Sequence, residues 1–151
     1  MVDIHQAVEI VLVEDNFRDA ELMIHALQKR NLANRLLHLE DGAQALEFLL
    51  GEGEYAGRID GSQLKVVLLD IKLPKLNGLE VLKAIRACPE TRSIPVVMVT
   101  SSAEDPDLKA AYQLGANSYV VKPVDFAAFQ EAMNMIGYYW LLVNQPARTP
   151  A

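Results

Sequence analysis

Val66-Val67-Leu68-Leu69 (residues 66–69) is followed directly by Asp70, and this apolar segment with a carboxylate at its end is the clearest indication of the fold. Three other apolar stretches end in a similar way: Val11-Leu12-Val13 before Glu14-Asp15, Val96-Val97-Met98-Val99 before Thr100-Ser101, and Tyr119-Val120-Val121 before Lys122. Short β-branched stretches separated by helix-like segments are typical of buried parallel strands. Because open α/β sheets bind ligands beyond the carboxyl ends of their strands, we expect these polar residues to gather at one edge of the sheet.

Five predicted strands alternate with five predicted helices along the chain. The predicted strands are Ala7–Val13, Asn34–Leu39, Lys65–Leu69, Ile94–Val99 and Ser118–Val121. The predicted helices are Phe17–Lys29, Ala43–Leu50, Leu79–Ala87, Asp105–Leu114 and Asp125–Val143. This alternation predicts a parallel sheet covered by helices on both faces, with right-handed crossovers. For such a doubly wound α/β domain we expect the five-stranded, flavodoxin-like strand order 2-1-3-4-5.

Local signals predict how several elements begin and end. Asn16 is expected to cap the first helix, and Asp105 is expected to cap the fourth, with Pro106 at its first helical position. Gly115 is expected to end that fourth helix. Residues 51–63 contain four glycines and several charges without a regular period, which predicts a surface loop.

The 151-residue chain has the size of one domain, predicted over residues 1–143, with a loose tail over 144–151. A formal net charge of −6 argues against a nucleic-acid surface, which needs clustered Lys and Arg. The single cysteine, Cys88, excludes an internal disulfide and offers no zinc pattern, so a reducing, cytoplasmic location is expected. We also expect no secretion signal, because residues 1–8 do not form a basic start followed by an apolar stretch. No membrane span is expected, because no apolar stretch approaches about 18 residues.

The predicted acidic cluster has the chemistry of a magnesium site. Without a cation, Glu14, Asp15 and Asp70 would repel one another at adjacent strand ends. Mg²⁺ prefers oxygen ligands, and the cluster lacks the Cys and His ligands that zinc prefers. The backbone carbonyl of Lys72 is a further candidate ligand. Alternatively, Glu14 and Asp15 only stabilise the start of the first helix, where acidic side chains are favourable.

Asp70 is the candidate nucleophile, because a carboxylate can accept a phosphoryl group as an acyl phosphate. Phosphoryl transfer needs positive charge near the equatorial oxygens, which a divalent cation and the ammonium of Lys122 can supply. The Thr100 hydroxyl could donate to a phosphate oxygen and move when phosphate arrives, and Tyr119 could rotate into the vacated space. Each residue also has a plainer interpretation. Asp70 is then a turn residue, Lys122 a solvated lysine, Thr100 an ordinary β-branched strand residue and Tyr119 a half-buried tyrosine.

These residues together resemble the receiver domain of two-component response regulators, from about Glu9 to Met135. The matching features are Glu14-Asp15, Asp70 after a hydrophobic strand, Leu73-Pro74 with Asn77-Gly78, Thr100-Ser101, Gly115-Ala116 and Lys122-Pro123. The roles that the resemblance implies are phosphoacceptor for Asp70, metal ligation for Glu14 and Asp15, phosphate binding for Lys122, and switching for Thr100 and Tyr119. A sensor histidine kinase is then the expected phosphodonor, and no DNA-binding or enzymatic output domain is expected.

Two segments are similar to single-domain regulators paired with phytochrome-type photoreceptor histidine kinases: Gly51-Glu52-Gly53-Glu54-Tyr55 and Tyr138-Tyr139-Trp140. The last predicted helix has an apolar side, expected to face the sheet and formed at helical spacing by Phe126, Phe129, Met133, Ile136 and Trp140. Apolar surface on its other sides comes from Tyr138, Tyr139, Leu141 and Leu142. A helix that is apolar on more than one side predicts a homodimer or a kinase-docking face. Alternatively, the helix end folds back on its own core.

We expect a stoichiometric phosphoacceptor that catalyses its own phosphorylation and dephosphorylation, and not an enzyme acting on other substrates. An aspartyl-phosphate phosphohydrolase is one alternative. Asp70-Ile71-Lys72 argues against it, because no second carboxylate stands two residues after Asp70 to act as general acid and base. A phosphorylation-independent interaction module is the other alternative, which the presence of Asp70, Thr100 and Lys122 disfavours.

Overall fold

The computed structural model describes residues 8–33, 35–55 and 64–147. The strands are β1 (Ile10–Val13), β2 (Leu36–Leu39), β3 (Val66–Leu69), β4 (Val96–Thr100) and β5 (Ser118–Val121). The helices are α1 (Phe17–Lys29), α2 (Gly42–Leu50), α3 (Gly78–Ala87), α4 (Asp105–Gln113) and α5 (Phe126–Gly137). A short 3₁₀ turn covers Gly53–Tyr55, and a π-helical segment, Tyr138–Val143, continues α5.

The strands form one parallel five-stranded sheet in the order β2-β1-β3-β4-β5, which confirms the predicted flavodoxin-like topology. The apolar strand β3 lies at its centre. Val13 of β1 lies opposite Leu69 of β3, so Glu14 and Asp70 leave the sheet side by side. The strand order reverses between β1 and β3, and this is where ligand crevices form in open α/β sheets.

Helices cover both faces of the sheet, each over its own apolar cluster. The face that carries Val13 and Leu69 packs against α2, α3 and α4. The face that carries Leu12 packs against α1 and α5. At the edge strand β5, Tyr119 lies on the first face and Val120 on the second, as strand alternation predicts.

Some predicted boundaries shift by a few residues. β4 begins at Val96 and not at Ile94, because Pro95 has no N–H to donate to a neighbouring strand. It also extends to Thr100, which was expected just beyond the strand. The starts predicted for the first two strands, at residues 7 and 34, lie outside the described residues.

The predicted surface loop over 51–63 is partly structured. Its 3₁₀ turn buries Tyr55 against Phe48 of α2, with the two rings edge to face and their centroids 5.3 Å apart. The predicted surface loop therefore departs from irregular structure at this turn, because an aromatic side chain reaches the core. The remainder of the loop, residues 56–63, lies outside the described residues.

Asn16 caps α1 and Gly115, with φ +101°, follows the end of α4, both as predicted. The cap predicted at Asp105 is wrong. Glu104 occupies the N-cap position of α4 without a side-chain cap hydrogen bond, and Asp105 and Pro106 are the first two helical residues. Proline suits this turn because the first helical N–H groups have no partner within the helix.

The last helix is not uniform, since α-helical hydrogen bonding ends at Gly137 and a π-helical segment follows. Two predictions about its faces are wrong. Phe126, the first residue of α5, is 53% exposed and lies outside the apolar cluster. Leu141 is 6% exposed, because the wider π turn changes the direction of the residues that follow. The rest of the predicted apolar side is buried or partly buried in the α1–α5 cluster: Phe129, Met133, Ile136 and Trp140.

Candidate functional site

Three carboxylates meet at the carboxyl edge of the sheet. Oxygen atoms of Glu14, Asp15 and Asp70 all lie within 4.8 Å of one another. Glu14 and Asp70 are buried, 1% and 6% exposed, whereas Asp15 is exposed to solvent. The structure thus brings together the predicted acidic residues, two of them in an environment that penalises negative charge.

Lys122, which follows β5, inserts its ammonium into this cluster. Its Nζ lies 2.5 Å from Glu14 Oε1, 3.0 Å from Asp70 Oδ2 and 2.8 Å from Asp19 Oδ2. The Lys122 side chain is only 6% exposed. Its backbone N–H donates to the Thr100 carbonyl at 2.7 Å, which ties the ends of β4 and β5 together. An ion pair this buried, with several hydrogen bonds, fixes geometry as well as charge.

Burial dominates the protonation of Glu14. It raises the pKa of Glu14 from its ordinary value of 4.5 to about 7; the Lys122 hydrogen bond opposes this rise, and the Asp70 charge adds to it. Burial alone would lower the pKa of Lys122, but hydrogen bonds to Asp19 and Glu14 and the charge of Asp70 outweigh burial and raise it. Lys122 therefore stays cationic. The protonated form of Glu14 is favoured until more positive charge is present nearby.

Backbone groups orient the acids. The Ile71 N–H donates to Asp70 Oδ1 at 2.7 Å, and the Asn16 N–H donates to Glu14 Oε2 at 3.1 Å. His38 Nε2 donates to the Glu14 carbonyl at 2.8 Å. Gly78 lets the β3–α3 loop return beneath Asp70, since a Cβ at Gly78 would lie 2.0 Å from the Asp70 carbonyl oxygen.

Thr100 and Tyr119, the candidate switch residues, are linked through Ser102. Thr100 is fully buried, and its Oγ1 accepts from the Ser102 N–H at 3.3 Å. The Tyr119 hydroxyl donates to the Ser102 carbonyl at 2.9 Å, and the Ser102 hydroxyl donates to Asp107 Oδ2 at 2.5 Å. Burial raises the pKa of Tyr119, so its hydroxyl remains a donor.

The other predicted site residues lie elsewhere. Lys72 follows Asp70 by two residues, and its side chain is exposed. Tyr138 and Tyr139 are exposed on the π-helical segment, where Trp140 is partly buried. That segment lies at the opposite edge of the sheet, because Lys65, just before β3, donates to the Leu141 carbonyl at 3.1 Å.

Three residues of this arrangement are absent from the sequence prediction: Asp19, Ser102 and Asp107. Asp19 had a detectable signal, because it lies in the first turn of a helix that starts at the carboxyl edge of the sheet. Ser102 had little signal, because consecutive hydroxyl residues follow β4 and alternation does not tell which one turns inward. Asp107 had none beyond its position near the start of α4.

The donor set fits a divalent cation that prefers oxygen. The described cluster offers three carboxylates and no Cys or His ligand, and its surplus negative charge exceeds what Lys122 alone neutralises. The same cation would lower the cost of ionising Glu14. Glu14, Asp15 and Asp70 are thus able to hold such an ion beside the Asp70 carboxylate.

The response regulator receiver domain model matches residues 10–134. The chain belongs to this family. Receiver domains are signalling proteins that interact with histidine kinases and bind a divalent metal. The Asp70 site fits the phosphoacceptor role of such a domain in two-component signalling.

Two curated relatives match over most of their length. The probable methanogenesis regulatory protein FilR2 of Methanothrix harundinacea (strain 6Ac) is 42% identical over 137 residues, which are 90% of this chain and 85% of FilR2. The response regulator Rcp1 of Synechocystis sp. (strain ATCC 27184 / PCC 6803 / Kazusa) is 35% identical over 139 residues, which are 91% of this chain and 92% of Rcp1.

Solved structures share the fold closely and include phytochrome response regulators. The phosphorylated cyanobacterial phytochrome response regulator RcpA superposes with a TM-score of 0.85 at 33% identity, covering 93% of this chain and 99% of RcpA. The Mn²⁺-bound form of Rcp1 gives 0.84 at 33% identity, covering 95% and 99%. The bacteriophytochrome response regulator AtBRR is 48% identical, with a TM-score of 0.71, covering 93% of this chain and 99% of AtBRR.

Within the described part of this receiver domain, none of the helices has the length and apolar composition that crossing a membrane requires.

Proposed function

We propose that this receiver domain accepts a phosphoryl group on Asp70 from a phosphohistidine of a sensor histidine kinase, with Mg²⁺ as its cation. The observation that carries the proposal is the Lys122 ammonium 3.0 Å from Asp70 Oδ2, inside a cluster of three carboxylates. A nucleophile, a fixed positive charge and a candidate cation site then share one crevice.

The proposed transfer proceeds by displacement at phosphorus. A carboxylate oxygen of Asp70 attacks the phosphorus, the P–N bond to the donor imidazole breaks, and the released nitrogen keeps the electron pair and takes up a proton. The product is an acyl phosphate. Bound Mg²⁺ supplies charge neutralisation at the phosphoryl oxygens. Its proposed ligands are Glu14, Asp15, Asp70 and the Lys72 backbone carbonyl.

Lys122 is proposed to bind a phosphoryl oxygen once Asp70 is modified. Its ammonium already lies beside Asp70, so little reorganisation precedes the transfer. Hydrolysis reverses the state: water attacks the phosphorus, Asp70 regains its carboxylate, and inorganic phosphate leaves. We propose that the protein acts stoichiometrically in this cycle, since Lys72 stands where a phosphohydrolase of this chemistry needs a second carboxylate.

Phosphorylation is proposed to change the surface through Thr100. Donation from the Thr100 hydroxyl to a phosphoryl oxygen would move this residue and break its 3.3 Å hydrogen bond with the Ser102 N–H. Because the Ser102 carbonyl holds Tyr119, the loop and the tyrosine shift together. A nearly complete switch needs on the order of 5 kcal/mol of differential stabilisation, which charge-assisted hydrogen bonds to phosphate supply in part.

A phytochrome-type photoreceptor kinase is the proposed partner, supported by the likeness to RcpA and to AtBRR. We also propose a homodimer through the surface formed by Tyr138, Tyr139 and Trp140, where the exposed Leu142 adds apolar area. We further propose a cytoplasmic location, where a sensor histidine kinase would reach this receiver domain. Mixing the chain with a phytochrome-type kinase and ATP, in light and in darkness, tests the proposed kinase partnership. Phosphorylation of the chain that does not depend on such a kinase would contradict it.

Incubation with a small phosphodonor and Mg²⁺ tests the phosphoacceptor role itself. We expect the wild-type protein to gain one acid-labile phosphoryl group, and Asp70→Asn to gain none. Label that survives Asp70→Asn would contradict the assignment of the nucleophile. Rapid turnover of a generic phosphate ester would favour the phosphohydrolase instead.

A further inference from the structure

We infer that Asp19 is a positioning residue, which holds the Lys122 ammonium in the crevice when a divalent cation takes the oxygens of Glu14 and Asp70. The inference rests on the proposed function, because it assigns a task to a fourth carboxylate at the same site. It concerns a residue of α1 that lies outside the metal cluster.

Lys122 shares two of its three carboxylate partners with the metal cluster. Glu14 and Asp70, which contact its Nζ at 2.5 Å and 3.0 Å, both belong to the group whose oxygens lie within 4.8 Å of one another. Asp19 contacts the same Nζ at 2.8 Å and does not belong to that group. Lys122 therefore has one partner for which the cation does not compete.

A divalent cation changes the surroundings of Lys122 in two ways. It competes for the oxygens of Glu14 and Asp70, and it repels the ammonium in a crevice where water screens charge poorly. The Lys122 side chain is 6% exposed, so leaving it without an anionic partner would be strongly unfavourable. Asp19 supplies that partner and so reduces the competition between the ammonium and the cation.

The local structure keeps Asp19 in place. Its backbone N–H donates to Asn16 Oδ1 at 3.0 Å, in the cap that starts α1. Its side chain is 28% exposed, so its carboxylate remains partly hydrated, and the start of a helix favours negative charge. Lys122 is fixed from its own side by the 2.7 Å hydrogen bond from its backbone N–H to the Thr100 carbonyl.

Mn²⁺ binding to the metal-free protein tests the inference without a phosphodonor. The binding is measured by the decrease in the paramagnetic resonance signal of the free ion. Asp19→Asn is expected to raise the Mn²⁺ dissociation constant at least about threefold, since Lys122 then competes more strongly for the shared oxygens. Glu21→Gln is the matched control. Glu21→Gln removes one charge from an exposed position of the same helix. We expect it to change the logarithm of the Mn²⁺ dissociation constant by less than half as much as Asp19→Asn does.

The same substitution in a Lys122→Ala background separates competition from simple loss of charge. The effect of Asp19→Asn is expected to be smaller there, because no ammonium remains to compete with Mn²⁺. The inference would be overturned if Asp19→Asn changed the Mn²⁺ dissociation constant by the same factor in the wild-type and Lys122→Ala backgrounds. It would also be overturned if the Asp19→Asn protein bound Mn²⁺ like the wild type. If Lys122→Ala does not fold, the comparison of Asp19→Asn with Glu21→Gln decides alone, and equal changes overturn the inference.

Phosphorylation kinetics give a second readout. Asp19→Asn should raise the cation concentration needed for half-maximal phosphorylation, because Lys122 then competes more strongly with the cation for the oxygens of Glu14 and Asp70. A lower saturating rate with an unchanged half-maximal concentration would overturn the inference. If the wild type binds Mn²⁺ but is never phosphorylated, the proposed function fails while the binding comparison still tests Asp19.

Discussion

The Tyr119 hydroxyl donates a hydrogen bond to the Ser102 carbonyl at 2.9 Å, and so joins β5 to the loop between β4 and α4. The N–H of Ser102 donates to Thr100 Oγ1 at 3.3 Å, and its hydroxyl donates to Asp107 Oδ2 at 2.5 Å. Every polar group of Ser102 is therefore engaged. Through this single residue the loop connects Thr100 and Tyr119 with the first turn of α4.

Tyr119→Phe should destabilise the protein by about 1 kcal/mol, because it removes one partly buried hydrogen bond and keeps the ring. Urea unfolding measures the free energy. Tyr112→Phe is the control, since Tyr112 is 50% exposed on α4 and its hydroxyl should contribute little. Equal free energies of unfolding for the two variants would contradict the structural role of the Tyr119 hydroxyl.

The stability of the metal-free protein should decrease as the pH rises from about 4.5 to about 7, because burial raises the pKa of Glu14 to about 7. In this range folded Glu14 retains a proton that the unfolded chain releases. The accompanying loss in the free energy of unfolding is at most about 3 kcal/mol. Urea unfolding on either side of this range measures it.

Glu14→Gln should flatten this part of the pH dependence, because an amide does not titrate. Saturating Mg²⁺ should also oppose the loss in the wild type, since it favours ionised Glu14. A wild-type protein and a Glu14→Gln variant with the same pH slope would contradict the assignment to Glu14.

Gly78→Ala should destabilise the protein by more than about 2 kcal/mol, because the new Cβ would lie 2.0 Å from the Asp70 carbonyl oxygen. Gly51→Ala is the control: it has φ +67° but no atom within 4 Å of the new Cβ, so only about 1 kcal/mol is expected. Urea unfolding compares them. A Gly78→Ala variant no less stable than Gly51→Ala would contradict the close approach beneath Asp70.

The proposed homodimer should weaken when apolar surface is removed from the π-helical segment. Tyr138 and Leu142 are each 60% exposed, and replacing both with Ser should raise the dimer dissociation constant at least about tenfold in sedimentation experiments. Tyr112→Ser removes one exposed aromatic side chain from α4, outside the proposed interface, and should leave the dimer dissociation constant close to that of the wild type. A protein that stays monomeric, or a dimer insensitive to the double substitution, would contradict the proposed interface.

The fold was predictable because the apolar composition of the strand segments and their alternation with helical segments both indicate a parallel sheet. Val66–Leu69 is short and fully apolar, with two β-branched valines, as suits a central parallel strand, and the four residues become the buried β3. The meeting of Glu14, Asp70 and Lys122 follows from the same topology, since parallel strands place their carboxyl ends at one edge. Boundaries failed where one residue overrides the pattern, as Pro95 does at β4.

Side-chain directions beyond the strands were less predictable. The first turn of α1 placed Asp19 near the site, but its contact with Lys122 depends on how α1 packs on the sheet, which a helical pattern does not determine. Ser102 turns inward in a loop without a period. The π-helical turn after Gly137 buries Leu141, whereas a regular helical projection places it outside. These features depend on tertiary packing, which local propensity does not determine.

Borohydride trapping after incubation with a small phosphodonor and Mg²⁺ identifies the phosphorylated residue, because borohydride reduces an acyl phosphate and peptide mass then locates the modified residue. We expect a single modified residue, Asp70, whose labelling requires the divalent cation. Modification of another residue, or none in a folded protein that binds the cation, would contradict it.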